Sequence, residues 1–349
     1  MAKSVASIYD IARLAGVSTA TVSNVLNDKG RMSQRTRERV LAIAREQGYV
    51  PSFAAKSLRE RRTSSIGIIT PDVSNDFYSS IVLEVETRLH EAGYDSYICN
   101  SSNSAERELS YVRGLLHKQV DGFVLVGGSA QIGSVELGSG VPAVLIDRPV
   151  STLSAAPNHV GVGNDIHALV GSMVGVLAGH GCERIAYVNV SSRQDDAAGR
   201  LRYGGYVDGL AACGLPPSQD LVFEAPHRKK SYDEAAQAVG DALGAGLVFD
   251  GIACMGDRLA LGATAVIKRC GLVPGRDVLV MGMDDSLYSR IVSPSISSVD
   301  RNAAQMAHVG VDVLLALLGD EPASGVVVPY AIVERETTLG VGGNARRKS

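Results

Sequence analysis

Several large classes are excluded by what this sequence lacks. No apolar run approaches the ~20 residues needed to span a bilayer, and the N-terminus has no signal-like apolar core, so a cytoplasmic chain with no membrane partner is expected. Cys99, Cys182, Cys213, Cys254 and Cys270 are odd in number, scattered and never paired as CxxC, which argues against both a disulfide framework and a zinc site. There is no GxSxG elbow, no GxxxxGK phosphate loop and no HExxH, and GVGND falls short of GxGxxG. The seven histidines are dispersed without a partner at ligand spacing. An enzyme is therefore not expected, and neither a catalytic residue, a cofactor nor a metal has a motif to hold it.

What is present is a division of charge. From Met1 to Arg62 twelve basic and five acidic residues give +7, while the remaining 22 basic and 32 acidic residues give −10. The net charge of −3 thus conceals a cationic head on an anionic body, which suits phosphate binding by the head alone. Hydrophobic content of 45% with 20% charged residues is ordinary for a globular protein, and 349 residues allow the small head and a large body.

Within the head, YDIARLAGVSTATVSNVLN (Tyr9 to Asn27) reads as two short helices around a turn. Ile11, Ala12, Leu14 and Ala15 mark an inward face, Gly16 supplies a positive φ, and Ser18 is placed to cap the second helix. Val22, Val25 and Leu26 face inward there, leaving Thr19, Ala20, Ser23, Asn24 and Asn27 outside. Such small polar side chains can approach base edges and phosphates closely in a DNA major groove. A third helix is expected over 34–47, ended by Gly48, and SFAAKSLRER (52–61) is a short helix too marginal to stand alone in water.

From Ser64 the pattern becomes strands alternating with helices. Strands are expected at 66–70, 96–100, 122–126, 143–146 and 159–162, then at 185–190, 252–255 and 278–281. Helices fall between them, at 77–90, 105–118, 166–180, 201–212, 232–243 and 259–269. This alternation implies parallel sheets covered by helices on both faces, with ligands beyond the C-terminal strand ends.

Taken with DIARLAGVSTATVSNVLN, GYVPSFAAKSL, IGIITPDVSNDFY, GIACMGDRLALGA, VMGMDD and VERETTLG, the chain resembles a LacI/GalR family transcription regulator over nearly its whole length. The resemblance implies an α/β protein with a three-helix, helix-turn-helix DNA-binding head (1–50), a hinge helix and linker (51–63), and a body of two doubly wound subdomains like the periplasmic sugar-binding proteins (64–340). The first subdomain would comprise 64–163 and 291–318, the second 164–290 and 326–338, and 341–349 a tail. The tail lacks heptad leucines, so a homodimer is expected. The implied partners are a palindromic double-stranded DNA operator and a small-molecule effector, a sugar or an anionic derivative of one. A receptor without DNA function is opposed by the cationic head.

By the same resemblance Thr19, Ala20 and Asn24 match positions that touch base edges, and Ser18, Thr21, Ser23 and Asn27 positions that hold phosphates or the turn. Leu58 matches the hinge residue that wedges between base steps from the minor groove, with Arg59 beside it. Phe77 and Tyr78 match aromatic pocket walls, and Asp147, Arg202, Asp257 and Asp284 match polar positions that hold a small molecule. Four departures stand out. Asn24 replaces the usual Arg, suiting adenine in place of guanine. Asp76 stands where Pro is usual, Gly256 where an Asn often binds, and Lys230 where an aromatic lid residue would lie. Lys230 closes the run HRKK (His227 to Lys230), which could neutralise a phosphate or carboxylate.

Overall fold

The computed structural model describes residues 6–26, 28, 30–49, 62–128, 137, 140–148, 158–189, 197–224 and 231–340. The chain divides into two compact units, Met1–Ser64 and Ser65–Ser349.

In the first unit α1 (Ile8–Ala15) opens on a capping box, in which the Ser7 side chain accepts from the Asp10 N–H and the Asp10 carboxylate accepts from the Ser7 N–H. Gly16 ends it with φ 62°, the left-handed turn expected of it. Next come α2 (Thr19–Leu26) and α3 (Gln34–Glu46), the latter capped by the Ser33 side chain. Ile11, Ala12, Ala15, Val22, Val25, Val40 and Ala44 form the core of this unit. Leu14 does not join it and is 52% exposed, against expectation. At helical pitch the buried arc of α1 runs from Ile11 through Ala15 to Ala12, and Leu14 falls beyond its edge.

The second unit begins with β1 (Ser65–Thr70), α4 (Asp76–Glu91), β2 (Asp95–Asn100), α5 (Ala105–His117), β3 (Gly122–Val126), β4 (Ala143–Ile146) and β5 (His159–Gly163). It continues with α6 (Ile166–Gly179), β6 (Ile185–Asn189), α7 (Ala197–Ala212), β7 (Val222–Glu224), α8 (Ser231–Gly244), β8 (Gly251–Cys254), α9 (Asp257–Arg269) and β9 (Leu279–Met281). The closing elements are α10 (Leu287–Ile291), β10 (Ser298–Asp300), α11 (Ala303–Leu318), β11 (Val326–Val327), β12 (Ala331–Val333) and α12 (Glu336–Leu339).

Among the described residues these strands form a six-stranded parallel sheet, β11-β5-β4-β3-β1-β2, and a four-stranded parallel sheet, β7-β6-β8-β9, beside the antiparallel pair β10-β12. Strands covered on both faces read as continuous apolar runs, as SIGIIT and GFVLV do, and β1, β3 and β4 are buried at every position. One core lies where α4 and α11 cover the larger sheet, another where α5 covers its other face, and a third around the smaller sheet.

The closing segment crosses between the sheets differently from the expectation. Val326–Val327 pairs with β5, in the first sheet and not with the second subdomain. Ile296 and Val299 lie in the core of the second sheet, so 291–300 belongs there, and of the expected 291–318 segment only α11 packs on the first. Strands of two or three residues carry no periodicity from which such membership could be read. For the same reason β7 and β10 were not foreseen.

Helices α6 and α7 approach closely because of glycine. A Cβ at Gly205 would stand 2.2 Å from the His167 carbonyl oxygen, whereas one at Gly175 would meet nothing within 4 Å. Gly205→Ala should therefore lower stability by roughly 1–3 kcal/mol through overpacking. Gly175→Ala should raise it by about 0.5–1 kcal/mol through helix propensity. Urea midpoints of the two variants, moving in opposite directions from the parent, are the check.

Candidate functional site

Two constellations are built, one in each unit. In the head, Ser18 caps α2 as expected: its Oγ accepts from the Thr21 N–H at 3.1 Å and lies 2.9 Å from the Thr21 hydroxyl. That cap fixes the entry of α2 and spends Ser18 and Thr21 on the turn. On the outer face Thr19, Ala20, Ser23 and Asn24 line a shallow concavity together with Ile8 and Tyr9. Tyr9 was not among the expected site residues, yet it is 74% exposed on this face. An aromatic one position inside a helix start, off the apolar stripe, was the signal available. Arg31, Arg35, Arg39 and Arg45 are exposed on the same unit, so its positive charge is presented to solvent. Asn27, Leu58, Arg59 and Lys230 lie outside the described residues.

In the body the expected polar residues gather around one that sequence reading missed. Arg301, 3% exposed at the side chain, follows β10 where the chain passes from the second sheet toward α11. Its guanidinium is paired with Asp147, at the C-terminal end of β4, by two hydrogen bonds, one of them 3.4 Å from Nη1 to Oδ2. Nη1 also donates to Asp284, beyond β9, at 3.4 Å, and Nε donates to Asn164 Oδ1 at 3.1 Å. Asn164 in turn donates to the Arg301 and Val328 carbonyls, at 3.2 and 2.8 Å. The Phe77 ring lies beneath the guanidinium, 4.2 Å from its carbon, and Tyr78 packs against Phe77 with centroids 5.6 Å apart. Asp147 and Asp284 hold left-handed backbone, φ 57° and 103°, a conformation short polar side chains tolerate.

Farther out, Arg258 at the start of α9 donates to the Ser74 carbonyl and lies 3.7 Å from the Asp72 carboxylate. These residues come from the two different sheets, so a second polar bridge spans them. Asp76, where Pro was usual, opens α4 with its charge at the helix N-terminus, and Asn75 caps that helix.

Asp257 is set apart from the other expected ligands. It is 2% exposed, and its oxygens already accept from the Ser286 N–H and the Ser298 hydroxyl, both at 2.6 Å. It holds two chain segments together. Burial pushes its pKa from 3.8 up to about 6, against the lowering effect of those hydrogen bonds. Burial likewise raises Asp284 from 3.8 to about 7; Arg301 and Arg202 oppose the rise while Asp257 and Asp147 add to it. Tyr78 is pushed upward by burial and then by Asp147. The Arg202 guanidinium acts on both Tyr78 and Asp284, and its Nε is buried without a hydrogen-bond partner. Gly256 is extended, and a Cβ there would meet only Asp284 Oδ2, at 3.8 Å.

No group of His, Cys, Asp and Glu among the described residues could hold a metal, and no described helix is long and apolar enough to cross a membrane.

A carboxyl whose pKa rises on folding contributes stability below its unfolded value, here 3.8, and loses it as pH rises through the folded value. For Asp284 that loss is complete only above about 7. The stability of the parent relative to Asp284→Asn should therefore fall between pH 5 and pH 8, measured as paired denaturant midpoints. A difference independent of pH would contradict the raised carboxyl.

Comparison with known proteins places these observations. Residues 7–52 match the profile of the bacterial regulatory proteins of the lacI family, and residues 174–338 that of a periplasmic binding protein-like domain. The HTH-type transcriptional regulator RegA of Clostridium saccharobutylicum is 32% identical over 339 residues, 95% of this chain and 99% of that protein. The crystal structure of the lac repressor dimer bound to operator and the anti-inducer ONPF superposes with a TM-score of 0.83 at 24% identity, covering 96% of this chain and all of that one. A complex of the transcriptional regulator CelR with cellobiose does so with a TM-score of 0.70 at 26% identity, covering 95% and 99%.

Proposed function

The chain belongs to the lacI family of bacterial regulatory proteins, and from that premise we propose that it is a cytoplasmic repressor in which a sugar-class ligand at the Arg301 cluster governs operator binding by the α2 face. It is a DNA-binding transcriptional regulator and not an enzyme, and the lac repressor dimer bound to operator, whose fold it shares, supports a homodimer acting on double-stranded DNA. The observation that carries the reading of the head is the outer face of α2, where exposed Ala20 and Asn24 stand with half-buried Thr19 and Ser23, on a unit of net charge +7.

Thr19, Ala20 and Asn24 read base edges, while Ser18, Thr21, Ser23 and Asn27 hold phosphates or the turn. Tyr9 joins them from the flank. Leu58 wedges into the minor groove with Arg59 beside it, so the hinge folds only when two heads share one site. In the body, Phe77, Tyr78, Asp147, Arg202 and Asp284 form the effector site around Arg301, and Lys230 of the HRKK run is a further effector residue implied by the family resemblance. Asp257 supports the wall from within. Asp147 and Asp284 stand just beyond strand ends of the two sheets, and the complexed neighbour CelR binds cellobiose, which supports a sugar as the ligand class. A ligand moves the operator equilibrium only if it prefers one arrangement of the two subdomains.

Selection of random duplex DNA on the full chain, beside a chain beginning at Ser64, tests this. The expected outcome is a palindromic site bound only by the full chain and weakened steeply by salt. Asn24 predicts adenine at the base pair it reads, and Asn24→Arg should move that preference to guanine by about 1–3 kcal/mol of discrimination. A guanine preference that survives Asn24→Ala would refute the assignment of that residue.

A further inference from the structure

The chain passes between the two sheets three times, and one side chain touches all three passages. The first runs from β5 to α6 and holds Asn164, the second from β10 to α11 and holds Arg301, and the third from β11 to β12 and holds Val328. The Asn164 amide nitrogen donates to the Arg301 carbonyl at 3.2 Å and to the Val328 carbonyl at 2.8 Å, and its oxygen accepts from Arg301 Nε at 3.1 Å. Both amide protons are thereby used. The opposite orientation would turn the oxygen toward two carbonyls and the NH2 toward a donor, so the network fixes which way the amide points. Backbone adds one more tie, from the Val328 N–H to the Gly163 carbonyl at 2.8 Å.

The ordinary duties of an asparagine beside a helix start are discharged by its neighbours. Asp165, and not Asn164, caps α6 by accepting from the Ala168 N–H. The left-handed backbone that asparagine tolerates falls at Asn302, φ 58°, in the second passage. What remains for Asn164 is the joining of the passages. Any rotation of one sheet against the other changes the backbone at all three of them, and a group bonded to all three must be broken or carried along.

We propose that Asn164 is the positioning residue of the pivot. It locks the three passages into one unit that yields together, and through Arg301 it sets how readily the body leaves its present arrangement. The inference rests on the reading above, in which the arrangement of the two subdomains governs operator binding.

Hydrogen exchange of the full chain, read by mass spectrometry, tests the lock, and titration of the duplex site recovered by selection tests its consequence. Asn164→Ala should speed exchange at least about fivefold at residues 163–165, 300–302 and 328–330 together, with β3 and β8 unchanged. Asn164→Asp keeps an acceptor for Arg301 but loses both donors, and it should loosen the same three passages. Tyr330→Phe removes the hydroxyl that meets Ser172 at 2.9 Å and should loosen the third passage alone. The operator affinity of Asn164→Ala should shift at least about fivefold from the parent, with a sign that tells whether the present arrangement is the one that holds DNA. Its affinity for unselected duplex, a property of the head, should stay the same. Faster exchange confined to residues 163–165, or spread through the whole fold, would overturn the lock. An unshifted operator affinity despite loosened passages would overturn the coupling and leave operator binding standing. A parent that selects no duplex site would remove the proposed function, and the coupling with it.

Discussion

The pairing of one buried guanidinium with the carboxylates at the ends of two different sheets is the constraint on which the body's architecture turns. Arg301 stands where the chain leaves the second sheet for α11, and its bonds reach Asp147 on the first sheet and Asp284 on the second. Neither carboxylate could be buried alone without a large desolvation cost, and the cation could not be buried without them. The raised pKa of Asp284, about 7, records that balance, with desolvation outweighing the nearby cation. The three groups therefore specify one another's positions, and with them the placement of Phe77, Asn164 and the chain crossings.

Asp257 and Arg258 show how adjacent residues divide structural labour. Asp257 is sealed among Ser286 and Ser298 and fixes the loop that carries Asp284. Arg258 points to the other sheet and meets Ser74 and Asp72. The site is thus framed by one inward and one outward tie from the start of a single helix. In the head a similar economy appears at Ser18, whose hydroxyl serves the turn and thereby frees Thr19, Ala20 and Asn24 to face outward.

Most of the architecture was legible from sequence because long apolar segments announce their period. The strands 122–126 and 143–146 agree to the residue, and Gly16 and Ser18 occupy the turn and cap that their chemistry suggests. Three kinds of feature were not legible. Leu14 lies one position off the buried arc of α1, a distinction finer than helical spacing over eight residues can resolve. The pairing of Val326–Val327 with β5 is a long-range choice that two residues cannot encode locally. Arg301 was missed because nothing in VDRNAA marks an arginine as buried, and only the convergence of distant strand ends makes it central.

The weaving of the closing segment bears on how the molecule is made. The first sheet takes its outermost strand and a covering helix from residues 303–327, after the whole second sheet has been laid down in the chain. The head, whose core is drawn from fewer than forty consecutive residues, has no such dependence. During synthesis the head can therefore reach its final form early, while the first subdomain stays incomplete until nearly the entire polypeptide has emerged. A chain cut short after residue 300 would lose the integrity of its earlier-made subdomain, so damage near one end is felt near the other.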